Sequence, residues 1–106
     1  MTSKWRRFEV FLPLQRNDGT DISEEELGRA VLEVRDKFHG VRFENPNSVG
    51  RWVHEGVEYR DNLARLIVEV GDTAANRQWM RSFKSRWKKK LKQLELWMVS
   101  YPIDVE

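Results

Sequence analysis

The sequence predicts an α+β fold, in which a four-stranded antiparallel sheet carries two helices on one face. Apolar residues alternate with a period of two in several segments, two other segments show the helical period, and turn-forming residues separate them. The predicted order is strand, helix, strand, strand, helix, strand. At 106 residues, the chain is expected to form a single domain over residues 1–106.

The first strand and the first helix have distinct patterns. From Trp5 to Leu14 the alternation predicts a half-buried strand, with a core face formed by Phe8, Val10, Leu12 and Leu14. Ser23 and Glu26 form a capping box, in which the serine hydroxyl binds the Glu26 amide and the Glu26 carboxylate reaches back. Gly40 is expected to end this helix in the left-handed conformation, and His39 is expected to interact with the last carbonyls.

Short strands are predicted in the middle of the chain. Val41 and Phe43 begin the first of these, and a loop follows over residues 44–51. Residues 51–54 and 57–59 flank Glu55-Gly56, which predicts a hairpin turn. The next strand runs over residues 63–70, with an apolar row of Leu66, Val68 and Val70 and an opposite row of Arg65, Ile67 and Glu69.

The segment from Asn76 to Gln93 predicts a second helix with an unusual charge. It contains eight basic and no acidic residues, which leaves 11 basic against 17 acidic residues elsewhere. Six apolar residues fall within an arc of about 120°, the width of a core-facing stripe: Trp79, Met80, Phe83, Trp87, Leu91 and Leu94. The other side of this helix carries Arg77, Arg81, Lys84, Lys88, Lys89 and Lys92.

The last strand is predicted between Leu94 and Val105. Alternation there leaves two possibilities for the face turned away from the helices, either Trp97, Val99 and Tyr101 or Leu96, Met98 and Ser100.

The order of elements and the hydrophobic periods resemble the ferredoxin-like α+β sandwich, in which right-handed crossovers place both helices on one face of the sheet. The stretches Phe38-His39-Gly40 and Gly50-Arg51-Trp52 are faintly similar to small uncharacterised bacterial proteins of this architecture. No functional residue is carried over from that similarity.

The open face of the sheet is the first candidate functional surface. Phe11, Ile67 and one of the two C-terminal sets would lie there, which makes it more apolar than a solvated face requires. The leading hypothesis is therefore a homodimer that buries this face. The alternative is that the C-terminal tail, residues 102–105, folds over it.

The central hairpin offers a second candidate, a ligand pocket. Its candidate ligand-binding residues are Arg51, Trp52, His54, Tyr59 and Arg65. A histidine base and an arginine that holds an anion would suit a small dimeric enzyme or a ligand-binding protein. A hairpin charged to discourage strand pairing is the simpler explanation. The sequence contains no recognisable nucleophile motif or phosphate loop, so catalysis is not favoured and no catalytic residue is assigned.

The basic helix face is the third candidate surface. Its cations could bind an acidic protein or follow a phosphate backbone in nonspecific nucleic-acid binding, although a charged face is often only solvated. The preferred function is a noncatalytic binding or assembly module that self-associates through the open face and binds an acidic partner through this helix.

Composition excludes several other classes. The chain has no cysteine, and its two histidines lack the spacing of metal ligands, so no metal or cofactor is expected. No apolar run is long enough to span a membrane, and a soluble cytoplasmic protein is predicted.

Overall fold

The computed structural model describes residues 4–45, 53–54, 57–58 and 63–106, and for 53–54 and 57–58 it describes the backbone alone. The elements, in chain order, are β1 (Trp5–Pro13), α1 (Glu24–Phe38), β2 (Arg42–Glu44), β3 (Val53–His54), β4 (Val57–Glu58), β5 (Leu63–Gly71), α2 (Ala74–Lys90) and β6 (Met98–Ile103).

Four of the strands form one antiparallel sheet in the order β2-β5-β1-β6. Glu9, in the middle of β1, lies opposite Ile67 of β5 and Val99 of β6. β3 and β4 pair with each other as a separate two-stranded sheet, so the predicted hairpin is present. Apart from this hairpin between β2 and β5, the chain has the predicted ferredoxin-like βαββαβ fold.

The core lies between the sheet and the two helices. β1 and β5 contribute the even-numbered row that the sequence period selects, and Val10, Leu12 and Leu66 are fully buried. α1 contributes Val34 and α2 contributes Phe83, both also fully buried. Because side chains alternate along a strand, the odd-numbered residues of β1 and β5 lie on the opposite, open face.

The start of α1 is as predicted, but its end is not. The Ser23 hydroxyl accepts a hydrogen bond from the Glu26 amide at 3.1 Å. The prediction that Gly40 takes the left-handed conformation is wrong, because His39 does so with φ 63°. The backbone N–H of His39 donates to the Arg35 carbonyl at 2.6 Å, as the last bond of the helix, and the predicted interaction of the His39 side chain with the helix end stays a prediction. Histidine enters this region of φ and ψ more readily than most residues do.

The end of α2 also differs from the prediction, which placed it near Gln93. The helix ends at Lys90, and Lys92 takes a positive φ of 53°. The amides of Lys92 and Gln93 donate to the carbonyls of Lys89 and Lys88 at 3.1 and 2.9 Å. These two bonds form a Schellman motif, which closes the helix.

This early closure changes which leucine joins the core. Leu94 no longer follows the helical period and is 87% exposed, so its predicted place in the apolar stripe is wrong. Leu96 is buried in its stead, with 1% of its surface exposed.

The register of β6 decides between the two C-terminal sets. Met98 and Ser100 lie opposite Val10 and Phe8, on the core side of the sheet. Trp97, Val99 and Tyr101 therefore face away from the helices. Residues 102 and 103 of the predicted tail do not fold over the open face, because they belong to β6, and Asp104 and Val105 reach only a groove at one end of that face.

Candidate functional site

The open face carries a lattice of ion pairs over its central strands. Glu9 is only 8% exposed although it lies on this face. Its carboxylate accepts hydrogen bonds from Arg65 Nη1 at 2.9 Å and from the Tyr101 hydroxyl. Arg65 also donates from Nε and Nη2 to Glu44, at 3.1 and 2.7 Å. Contact with Glu44 first, and with Glu9 second, raises the pKa of Arg65 above its ordinary value.

A second part of the lattice is centred on Glu69. Arg7 and Arg42 both donate to its carboxylate, at 3.2 and 3.0 Å. The Arg7 guanidinium also lies 5.9 Å from the centre of the Tyr101 ring. Its interaction with Tyr101, followed by the charge of Glu69, raises the pKa of Arg7. We name the six charged residues together the charged lattice: Arg7, Glu9, Arg42, Glu44, Arg65 and Glu69.

Apolar side chains lie on the same face, along the outer strand β6. We name this row the β6 stripe: Trp97, Val99, Tyr101 and Ile103. Trp97 is 64% exposed, whereas the other three are half-buried. The prediction of an apolar open face therefore holds for β6, while β2, β5 and β1 carry the charged lattice.

A shallow groove of about 340 Å³ lies at one end of this face. Its lining is mixed, with aromatic and aliphatic side chains beside one cation and two carboxylates: Trp5, Arg7, Glu69, Ile103, Asp104 and Val105. The cation and one carboxylate already pair with each other in the charged lattice.

The basic residues of α2 form a narrow row. At 100° per residue, four of them fall within an arc of about 60°. We name this row the basic flank: Arg77, Arg81, Lys84 and Lys88. Trp79 and Arg86, on roughly the opposite side of the helix, contact Phe38 and Glu33 of α1. The basic flank is therefore turned away from α1.

Two members of the basic flank have carboxylate partners. Arg77 pairs with Asp72 at 2.8 Å, and Lys84 pairs with Glu95 at 3.1 Å. The Lys84 contact, followed by the Leu96 amide, lowers the pKa of Glu95. Among the described residues, no carboxylate lies within ion-pair distance of the other candidate cations, which are Arg81, Lys88, Lys89 and Lys92.

Only some residues of the predicted hairpin pocket lie in the described part of the chain. Arg51, Trp52 and Tyr59 lie outside the described residues, and His54 is described only as backbone in β3. Arg65 lies in β5 on the open face, and its three guanidinium nitrogens all donate to carboxylates. The proposed pocket therefore remains a prediction, and its one fully described member already serves the charged lattice.

Glu9 was not predicted to be a buried carboxylate. The period of two in the strands could have indicated its ion pairs, because β1 places Arg7 and Glu9 on one face and β5 places Arg65 and Glu69 on one face. The antiparallel register then brings the opposite charges together, with Arg7 directly opposite Glu69.

The described residues contain no cluster of three or more acidic or histidine side chains that could hold a metal ion. Within the same part of the chain, no helix is both long and apolar enough to cross a membrane. The chain matches no protein-family model, no curated protein and no solved structure.

Proposed function

We propose that this protein is a noncatalytic binding and assembly module, which forms a homodimer through the β6 stripe. The observation that supports this role is the apolar row on the open face, with three side chains on the outer strand and the more exposed Trp97 directly before it. Burial of such a row stabilises association by about 25 cal/mol for each Å² of apolar surface removed from water.

The charge of the open face favours a second copy as the occupant. The charged lattice contains three arginines and three glutamates, and each makes at least one ion pair within it. Its net charge is zero, so two identical faces can approach without long-range repulsion. Ions that are already paired also lose less on desolvation than unpaired ions do.

The oligomeric state of two matched variants tests this proposal. Sedimentation at micromolar concentration is expected to show a dimer for the wild type and a monomer for Trp97→Asp. Leu94→Asp is the control, because Leu94 is also apolar and is even more exposed, at 87% against 64%, but does not belong to the β6 stripe. An apolar interface is expected to persist at high salt. A monomeric wild type, or equal behaviour of the two variants, would contradict the proposal.

A second role, binding of an acidic protein partner, is favoured by the unpaired cations of α2. Arg81 and Lys88 extend from the basic flank without an ion-pair partner among the described residues. Opposite charges across an interface raise the association rate and select the partner. The same cations could bind nucleic acid, and we expect the protein to act in the cytoplasm in either case.

Charge reversal separates these uses of α2. Arg81→Glu with Lys88→Glu is expected to abolish salt-dependent binding to an acidic peptide and to leave the dimer intact. Lys37→Glu, a single reversal in the last turn of α1, is the control for a change in net charge. A shift of single-stranded nucleic acid at low salt, lost in the same double variant, would assign the surface to nucleic acid.

A further inference from the structure

The outer edge of β6 pairs with no other strand in the described part of the chain. β6 stands at the end of the sheet and pairs only with β1. Its core-side residues Ser100 and Pro102 are exposed. An edge of this kind presents backbone donors and acceptors that another strand can bind.

The ladder between β1 and β6 shows which backbone groups point outward. The Phe11 amide donates to the Trp97 carbonyl at 2.9 Å, so the backbone groups of this opposed pair point toward each other. Opposed residues of an antiparallel pair alternate between hydrogen-bonded and non-hydrogen-bonded positions. The backbone N–H and C=O groups of Val99, Tyr101 and Ile103 therefore also point toward β1. The backbone groups of the intervening residues point to solvent, which explains why Pro102, with no N–H, is tolerated there.

The basic flank lies on the same side of the molecule as this edge. It is turned away from α1, and its Lys84 pairs with Glu95 in the segment that leads into β6. The charge of Lys88 also lowers the pKa of Glu95, by less than the contact with Lys84 does. A strand added beside β6 would therefore have the basic flank on its helix side and the β6 stripe on its other side.

We propose that the outer edge of β6 binds an extended acidic segment of another protein by strand addition. Alternate side chains of a strand point to opposite faces, so the segment that fits carries acidic residues at every second position and apolar residues between them. The acidic side chains meet the basic flank, and the apolar ones extend the β6 stripe. This inference rests on the proposed acidic-partner role of α2.

A second copy of this chain fits the edge poorly. Antiparallel pairing of two β6 strands by a two-fold axis would bring two basic flanks face to face. Like charges so placed oppose association. Pro102 would also leave the partner strand without one donor in each half of the ladder. An acidic segment has the opposite charge and can bind the donors of Met98 and Ser100.

The test uses synthetic peptides and the full chain. The probe is a short peptide of alternating glutamate and valine, and the control peptide replaces each glutamate with lysine. Tryptophan fluorescence reports binding, because Trp97 lies at one end of the β6 stripe. The glutamate peptide is expected to bind and to slow hydrogen exchange at the Met98 and Ser100 amides. The lysine peptide is not.

Two variants separate the backbone and charge contributions. Ser100→Pro removes an outward N–H from the edge. It is expected to weaken binding of the glutamate peptide about tenfold, because one lost hydrogen bond costs about a factor of ten in affinity. Arg81→Glu with Lys88→Glu is also expected to weaken binding and to reduce its salt dependence. Circular dichroism of each variant checks that the fold is retained.

Each outcome decides a separate point. Binding that is lost in the charge variant and unchanged in Ser100→Pro, without protection of the β6 amides, would overturn strand addition but retain an acidic partner for α2. Binding of neither peptide, or of both equally, would overturn both proposals. A single-stranded oligonucleotide that displaces the peptide and binds Ser100→Pro as well as wild type would assign the flank to nucleic acid and overturn strand addition.

Discussion

The Tyr101 hydroxyl donates a hydrogen bond to the Glu9 carboxylate, from the outer strand β6 to the centre of the sheet. Tyr101 lies opposite Arg7 in the register and Glu9 lies opposite Val99, so this bond is a diagonal contact. It joins the β6 stripe to the charged lattice. The surface proposed for self-association and the ion pairs beside it are therefore structurally coupled.

Removal of this bond is expected to destabilise the protein. Tyr101→Phe leaves a buried carboxylate with one donor fewer, at a cost of about 1–3 kcal/mol in the free energy of unfolding. Urea denaturation measures this loss. A double-mutant cycle with Glu9→Ala, which removes the acceptor, isolates the pair, and a coupling energy near zero would show that the bond contributes nothing.

The left-handed residue after α2 provides a stabilising substitution. Lys92 has φ 53°, which costs a non-glycine residue about 1 kcal/mol, so Lys92→Gly is expected to stabilise the fold by a similar amount. Lys89→Gly is the matched control, because it lies within α2 and should cost about 1 kcal/mol. Thermal unfolding that shifts in the same direction for both variants would contradict this explanation.

Glu33 is expected to hold the two helices together. It accepts a hydrogen bond from Trp87 Nε1 at 2.9 Å and pairs with Arg86, while Trp87 is only 3% exposed. Glu33→Ala leaves the buried indole N–H without an acceptor and should cost about 1–3 kcal/mol.

Two variants control for this prediction, and chemical denaturation measures all three. Glu33→Gln keeps an acceptor oxygen and should lose less. Glu25→Ala removes an exposed pair with Arg29 and one acidic residue from the first turn of α1, and should cost about 1 kcal/mol or less. Equal losses for Glu33→Ala and Glu25→Ala would show that the contact to Trp87 is unimportant.

Asp72 is expected to make stability fall in acid. Hydrogen bonds from Arg77 first and Arg6 second lower its pKa from the ordinary value of 3.8. A carboxyl with a lowered folded-state pKa contributes stability that is complete above the unfolded pKa and is lost as the pH falls through the folded value.

The measurement is the unfolding temperature of wild type and Asp72→Asn between neutral pH and acid. Asp72→Asn should be less stable than wild type at neutral pH, and the difference should shrink as the pH falls below 3.8. Asp36→Asn, at an exposed position of α1, controls for the loss of one negative charge. A difference that stays constant over the whole range would contradict the linkage.

Much of the fold follows from local sequence patterns. The period of two in β1 and β5 identifies their buried rows, and the serine at the start of α1 caps it as expected. The two helix ends were harder to predict, since His39 and Lys92 rather than a glycine take the left-handed conformation. A non-glycine residue in this conformation leaves no clear mark in the sequence.

The sequence by itself determined the α+β class, the two helices, the rows of the central strands and the clustering of positive charge on α2. These depend on side-chain period and local capping, which act over a few residues. Only the tertiary structure decided that Trp97, Val99 and Tyr101 face outward, that Glu9 is buried between Arg65 and Tyr101, and that the basic flank lies beside the free edge of β6. These relationships join residues far apart in the chain, and strand register and helix packing set them rather than any local pattern.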